Sequence, residues 1–92
     1  MAEKTVVPPV LYVPVRRNAQ DAVEVVRLPM GEGRAALLVY TALDRLALGC
    51  GEGQEWTMIF TSTLSSVKKE TPFDALAFDV VFPDGLARAE ST

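Results

Sequence analysis

The segment from Arg34 to Phe60 constrains the fold more than any other part of this chain. It begins with an unbroken apolar run, Ala35-Ala-Leu-Leu-Val-Tyr40, and continues through Thr41 into a short amphipathic stretch that ends at Gly49. A glycine-rich loop follows, and then a second apolar run from Trp56 to Phe60. That order is what a strand–helix–strand unit requires. In the first run both alternating sets are apolar, Ala35, Leu37 and Val39 against Ala36, Leu38 and Tyr40, which predicts a strand buried on both faces and central in its sheet. Thr41 is the predicted N-cap, with Asp44 three residues later at the positive end of the helix dipole. Leu43, Leu46 and Ala47 form the predicted apolar stripe, and Gly49 the left-handed stop.

The flanking segments extend this pattern. Val10 to Val15 is strand-forming, and Pro14, which has no amide to donate, predicts an edge, a strand end or a bulge. Arg16 to Asp21 is a polar connection. Ala22 to Leu28 reads as a second strand, joined to the Arg34 strand through a five-residue loop, Pro29 to Gly33, as a hairpin. After the Trp56 strand, Thr61-Ser62-Thr63 supplies N-caps for a second helix with Leu64 and Val67 on its apolar side. Lys68 and Lys69 lie in its last turn, and Thr71-Pro72 ends it. A last strand is predicted over Ala75 to Phe82, with Leu76, Phe78, Val80 and Phe82 on one face. The fold class is therefore α/β, bordering on α+β. It is a two-layer, five-stranded mixed sheet in the order β-β-β-α-β-α-β with two short helices, the last three strands largely parallel and both helices on one face. Residues 10–84 form the predicted domain, 1–9 a flexible lead and 85–92 a flexible tail.

Composition narrows the function. The chain has 92 residues, enough for one small domain with little surplus stability, so that self-association would help it. Nine basic residues face twelve acidic ones, and the only basic doublets are Arg16-Arg17 and Lys68-Lys69, which argues against a nucleic-acid partner. No apolar run approaches the roughly 20 residues that cross a bilayer. With a single cysteine and no obvious leader, the expected location is the cytoplasm.

No constellation in the sequence carries catalysis. Cys50 follows a helix C-terminus next to Glu52, both of which disfavour thiolate, and no histidine is present to act as its base. Gly49-x-Gly51-x-Gly53 lies after a helix and before a strand, the reverse of a phosphate cradle, and Gly31-Glu32-Gly33 lies in a hairpin. Asp74, Asp79 and Asp84 match no calcium loop. Ser62, Ser65 and Ser66 have no partner base. No catalytic residue, metal or cofactor is implied.

The order of elements, with particular residues, resembles the N-terminal domain of the SseB (enhanced serine sensitivity) family, in particular its stand-alone small actinobacterial versions. The residues concerned are Leu11-Tyr12-Val13-Pro14-Val15, the glycine turn before Leu37-Leu38-Val39-Tyr40-Thr41, Trp56-Thr57-Met58-Ile59-Phe60-Thr61 before Leu64, and Phe78-Asp79-Val80-Val81-Phe82-Pro83. The likeness covers most of residues 10 to 84. It implies an α/β interaction domain and brings no catalytic residue or ligand to carry over. Longer members add a C-terminal domain, for which 92 residues leave no room.

Two functional expectations follow. The first is a non-enzymatic protein-interaction domain whose partner is another protein or a second copy of itself. Its candidate surface is Tyr12, Arg16, Arg17, Trp56, Met58 and Phe60, on an uncovered sheet face or along the Val10–Val15 edge, with Arg34 able to join the two arginines if the hairpin approaches them. The second is a regulatory domain binding an anion or metabolite at the two helix N-termini, with Thr41, Thr61 and Ser62 as the candidate site.

Overall fold

The computed structural model describes residues 8–86, and two strands organise everything else. Strand β1 (Val10–Arg17) and strand β4 (Arg34–Val39) are each the middle member of a three-stranded sheet, in the orders β2-β1-β5 and β3-β4-β6. The other strands are β2 (Val23–Val25), β3 (Arg27–Gly31), β5 (Trp56–Phe60) and β6 (Ala75–Phe78); the helices are α1 (Leu43–Cys50) and α2 (Leu64–Glu70), the latter entered through a 3₁₀ turn at Thr61–Thr63. The protein is thus a small α+β domain. No helix among the described residues is long and apolar enough to cross a membrane.

The single five-stranded sheet expected from sequence is replaced by these two sheets, and Pro14 supplies the reason. The predicted second strand is one arm that breaks at Val26: β2 pairs with β1, whereas β3 pairs with β4. At the break the Val26 amide donates to the Pro14 carbonyl (3.1 Å), while the Val26 carbonyl accepts from the Leu38 amide (3.4 Å). A normal antiparallel pair would exchange both bonds. Proline has no amide to return, so the Val26 carbonyl is left for β4 and the arm crosses over. Beyond the fork, β1 and β4 meet directly at Tyr12 and Tyr40, whose amides and carbonyls exchange bonds of 2.9 and 2.7 Å. Pro14 is therefore fully buried at a branch point in the middle of the ladders, and the Val10–Val15 edge anticipated from sequence does not exist.

Strand directions also differ from expectation. Among the described residues only β4 and β6 are parallel neighbours, whereas β5 pairs antiparallel with β1. The helices lie on opposite faces rather than sharing one. Leu46 and Cys50 of α1 pack with Leu38, Tyr40, Val26 and Leu86, and Leu64 and Val67 of α2 pack with Leu37, Val39, Leu11, Val13 and Phe73. The double alternation of β4 created this arrangement: each face of that strand, fully apolar, seeds its own core.

Several ends were misplaced by local reading. The β3–β4 loop is two residues, Glu32 and Gly33, with φ of 57° and 77°; positive φ at both centres is the turn whose twist suits a hairpin. Helix α1 has Ala42 as its N-cap with no side-chain cap bond, and stops at Gly51 (φ 106°) rather than Gly49. Gly49 lies inside the helix, at a position where a Cβ would strike the Val80 carbonyl oxygen and approach Cε2 of Tyr40 to 2.9 Å. Strand β6 ends at Phe78 because Asp79 takes φ 54°, which breaks the alternation predicted to Phe82. Leu76 consequently packs on the α2 face, and Val80 and Phe82 on the α1 face. Leu86, assigned to the tail, is fully buried against α1, so the domain extends at least that far. Residues 1–7 of the predicted lead and 87–92 of the predicted tail lie outside the described residues.

Candidate interaction surface

Strand β5 closes one side of the β2-β1-β5 sheet and, among the described residues, has no neighbour on its outer edge. Its sequence, Trp-Thr-Met-Ile-Phe, alternates, so Thr57 and Ile59 share one face and Trp56, Met58 and Phe60 the other. Ile59 packs into the α2-side core. Trp56, Met58 and Phe60 stand directly opposite Pro14, Tyr12 and Val10, on the α1 side of the sheet. Helix α1 packs over β1, and these three residues keep 44, 48 and 55 % of their surface in solvent. The result is a continuous apolar strip. It is anchored from behind by Tyr12, whose ring meets Trp56 edge to face at a centroid distance of 5.7 Å.

The backbone of the strip is also presented outward. Val15 donates to the Glu55 carbonyl and Thr61 to the Pro9 carbonyl, each at 2.9 Å, which makes the odd-numbered residues of β5 the ones bonded to β1. The amides and carbonyls of Trp56 and Met58 therefore point to the open edge. The Phe60 carbonyl accepts from the Thr63 hydroxyl at 2.7 Å.

The two arginines named with this surface do not face the strip. Arg16 and Arg17 end β1 and are engaged by carboxylates: Arg16 lies 4.0 Å from Glu24, and Arg17 lies 3.7 Å from Asp21 and 3.8 Å from Glu55. These contacts are exposed and contribute little to stability. Arg34 is at the hairpin tip, the far end of the β2–β3 arm, so the arginines do not gather. A cleft of about 510 Å³ runs between Val15, Arg17, Val23 and the Gln54–Thr57 segment, open to solvent and meeting the strip at Trp56. Of the predicted stripe on α1, Leu46 is buried as expected, whereas Leu43 is exposed, as is Leu48, because the helix rolls Gly49 and Cys50 inward beside Leu46.

The second candidate site has a different character. Thr41 and Thr61 flank the N-terminal end of β1, one beyond Tyr40 and the other beside Pro9. The Thr41 amide and hydroxyl both donate to the Asp79 carboxylate, each at 2.9 Å, and Arg45 adds a contact at 3.2 Å. An anion at Thr41 would have to displace a carboxylate already held there. The Thr61 hydroxyl donates to the Pro8 carbonyl, and exposed Ser62 lies in the 3₁₀ turn. Asp74 completes the pattern at the other end of β6, accepting from the Ala35 amide at 2.8 Å while its own amide donates to the Ala35 carbonyl. These two aspartates clamp β6 to β4 at both ends. Cys50 is buried against Tyr40, whose hydroxyl donates to the Val80 carbonyl. Among the described residues no three Cys, Asp or Glu side chains come together as a metal site would need.

Fold and surface together define a class: a small α+β domain with two opposed cores and an apolar edge strand that is unpaired on its outer side among the described residues. Beyond that class, the chain matches no protein-family model, no curated protein and no solved structure.

Proposed function

We propose that this chain is a non-enzymatic, SseB-like protein-interaction domain that docks its partner on the β5 strip. The observation that carries the proposal is the exposure of Trp56, Met58 and Phe60 as one contiguous apolar row on a strand whose outer edge is unpaired among the described residues. Isolated exposed apolar residues are ordinary, but a contiguous row backed by a rigid sheet marks an interface. Aromatic residues and methionine are also the types enriched at interface centres. The partner is a protein, and the site of action is the cytoplasm.

The test compares partner capture by the native protein with capture by a Trp56→Ser/Phe60→Ser double variant. Matched denaturation curves must first show that both are folded. Loss of a captured protein, whether foreign or a tagged second copy, supports the assignment. Equal capture by both refutes it.

A further inference from the structure

We propose that the partner of β5 is β5 of a second copy, paired antiparallel about a two-fold axis at Met58; this rests on the interaction reading above and makes its geometry specific. The edge left unpaired among the described residues suits a strand, because the outward amides and carbonyls of Trp56 and Met58 are spaced to continue a regular ladder. Strand β5 is complementary to itself. With Met58 opposite Met58 of the second copy, Trp56 falls opposite Phe60 of that copy, and both apolar rows lie on the same side of the joined sheet. An aromatic faces an aromatic at each end of the row, with methionine across methionine between them.

The other edges are protected. Strand β2 carries Glu24, β3 carries Arg27 and Pro29, and the four residues of β6 are bracketed by Asp74 and Asp79. Charge, proline and shortness are the devices that keep edges from pairing, and β5 has no charge and no proline. Its five residues also make it longer than β2 or β6.

Area sets the strength. At roughly half exposure, side chains of these sizes contribute about 100 Å² each, hence about 600 Å² for the pair before the backbone edges are counted. A standard stable interface buries about 1,200 Å² or more, so this is a concentration-dependent dimer rather than a permanent one. Each copy carries a net charge of −3, and β5 places no charge in the seam. Salt therefore screens the repulsion between copies and strengthens the association, the opposite of what a charge-steered contact would show.

The experiment is sedimentation velocity from about 10 μM to 1 mM, at low and at high salt, a range suited to an interface below standard size. Disulfide trapping in single-cysteine positions accompanies it. Mass should rise with concentration and rise further with salt, and Met58→Lys should weaken dimerisation at least about tenfold. Met58→Cys should cross-link on oxidation, because paired residues on the axis lie about 5.5 Å apart between Cα atoms, within disulfide reach. Trp56→Cys should not, since its counterpart is Phe60 of the second copy; buried Cys50 gives little background. A single-chain mass at every concentration overturns the proposal. So does a dimer in which Trp56→Cys traps as readily as Met58→Cys. If a foreign partner is still captured through the strip while the chain stays monomeric, the interaction reading survives and the second-copy inference alone fails.

Discussion

Replacing Gly49 by alanine sets two effects of opposite sign against each other. In an isolated helix interior, Gly→Ala stabilises by about 0.5–1 kcal/mol through backbone entropy. Here the added Cβ would land on the Val80 carbonyl oxygen and lie 2.9 Å from the Tyr40 ring. A backbone carbonyl cannot swing aside as a side chain can, so the Val80–Phe82 segment must move. That segment is held by the Tyr40 hydroxyl on the Val80 carbonyl and by the Phe82 amide on the Gly49 carbonyl at 2.8 Å. Overpacking costs about 1–3 kcal/mol, and weakening these bonds about 1–2 more. Net destabilisation of about 2–4 kcal/mol is expected, a lowering of Tm by about 10–25 °C in a domain of this size. Urea denaturation followed by circular dichroism measures it. Gly53→Ala, where nothing lies within 4 Å and φ is not positive, should shift stability by less than about 0.5 kcal/mol. A Gly49→Ala protein as stable as the native one would refute the close-approach argument.

Other outcomes follow from the same geometry. Asp79→Ala loses the acceptor for Thr41 and Arg45 and retains a strained φ of 54°, so it should cost about 2–3 kcal/mol in thermal or chemical denaturation; Asp79→Gly, which relieves the backbone, should cost less. Pro14→Ala introduces a buried amide that competes with Leu38 for the Val26 carbonyl, so a loss of about 1–2 kcal/mol and faster amide exchange at Leu38 are expected. Burial, and then a hydrogen bond with Cys50, raise the Tyr40 phenol far above its ordinary value, so the folded protein keeps that proton after the unfolded chain has lost it. The associated stability is present below about pH 10 and declines above it. Tyr40→Phe should flatten that alkaline decline in denaturation midpoints measured across pH.

Local pattern reached the elements but not their neighbours. The apolar run of β4, the strand at Val10, the strip-bearing alternation of Trp56-Thr-Met-Ile-Phe and the helix between them were legible, because each is imposed by periodicity within a few residues. The candidate surface was legible in part: Trp56, Met58, Phe60 and Tyr12 do share one face. Arg16 and Arg17, expected to join this surface, turn in space to Glu24, Asp21 and Glu55. Thr41 looked like a helix cap because nothing nearby in sequence competes for its hydroxyl, whereas Asp79, 38 residues away, does.

By itself, then, the sequence determined the main extended and helical segments, though not their ends, and that β4 must be covered on both sides, since every side chain from Ala35 to Val39 is apolar. The tertiary structure alone decided that Pro14 sits at a fork instead of an edge, that Gly49 makes room for a carbonyl instead of ending a helix, and that β5 is, among the described residues, an edge strand carrying neither charge nor proline. Those outcomes depend on which distant backbone donors and acceptors are paired. A proline or glycine specifies what is missing at its own position, and only the partner brought alongside fixes what that absence permits.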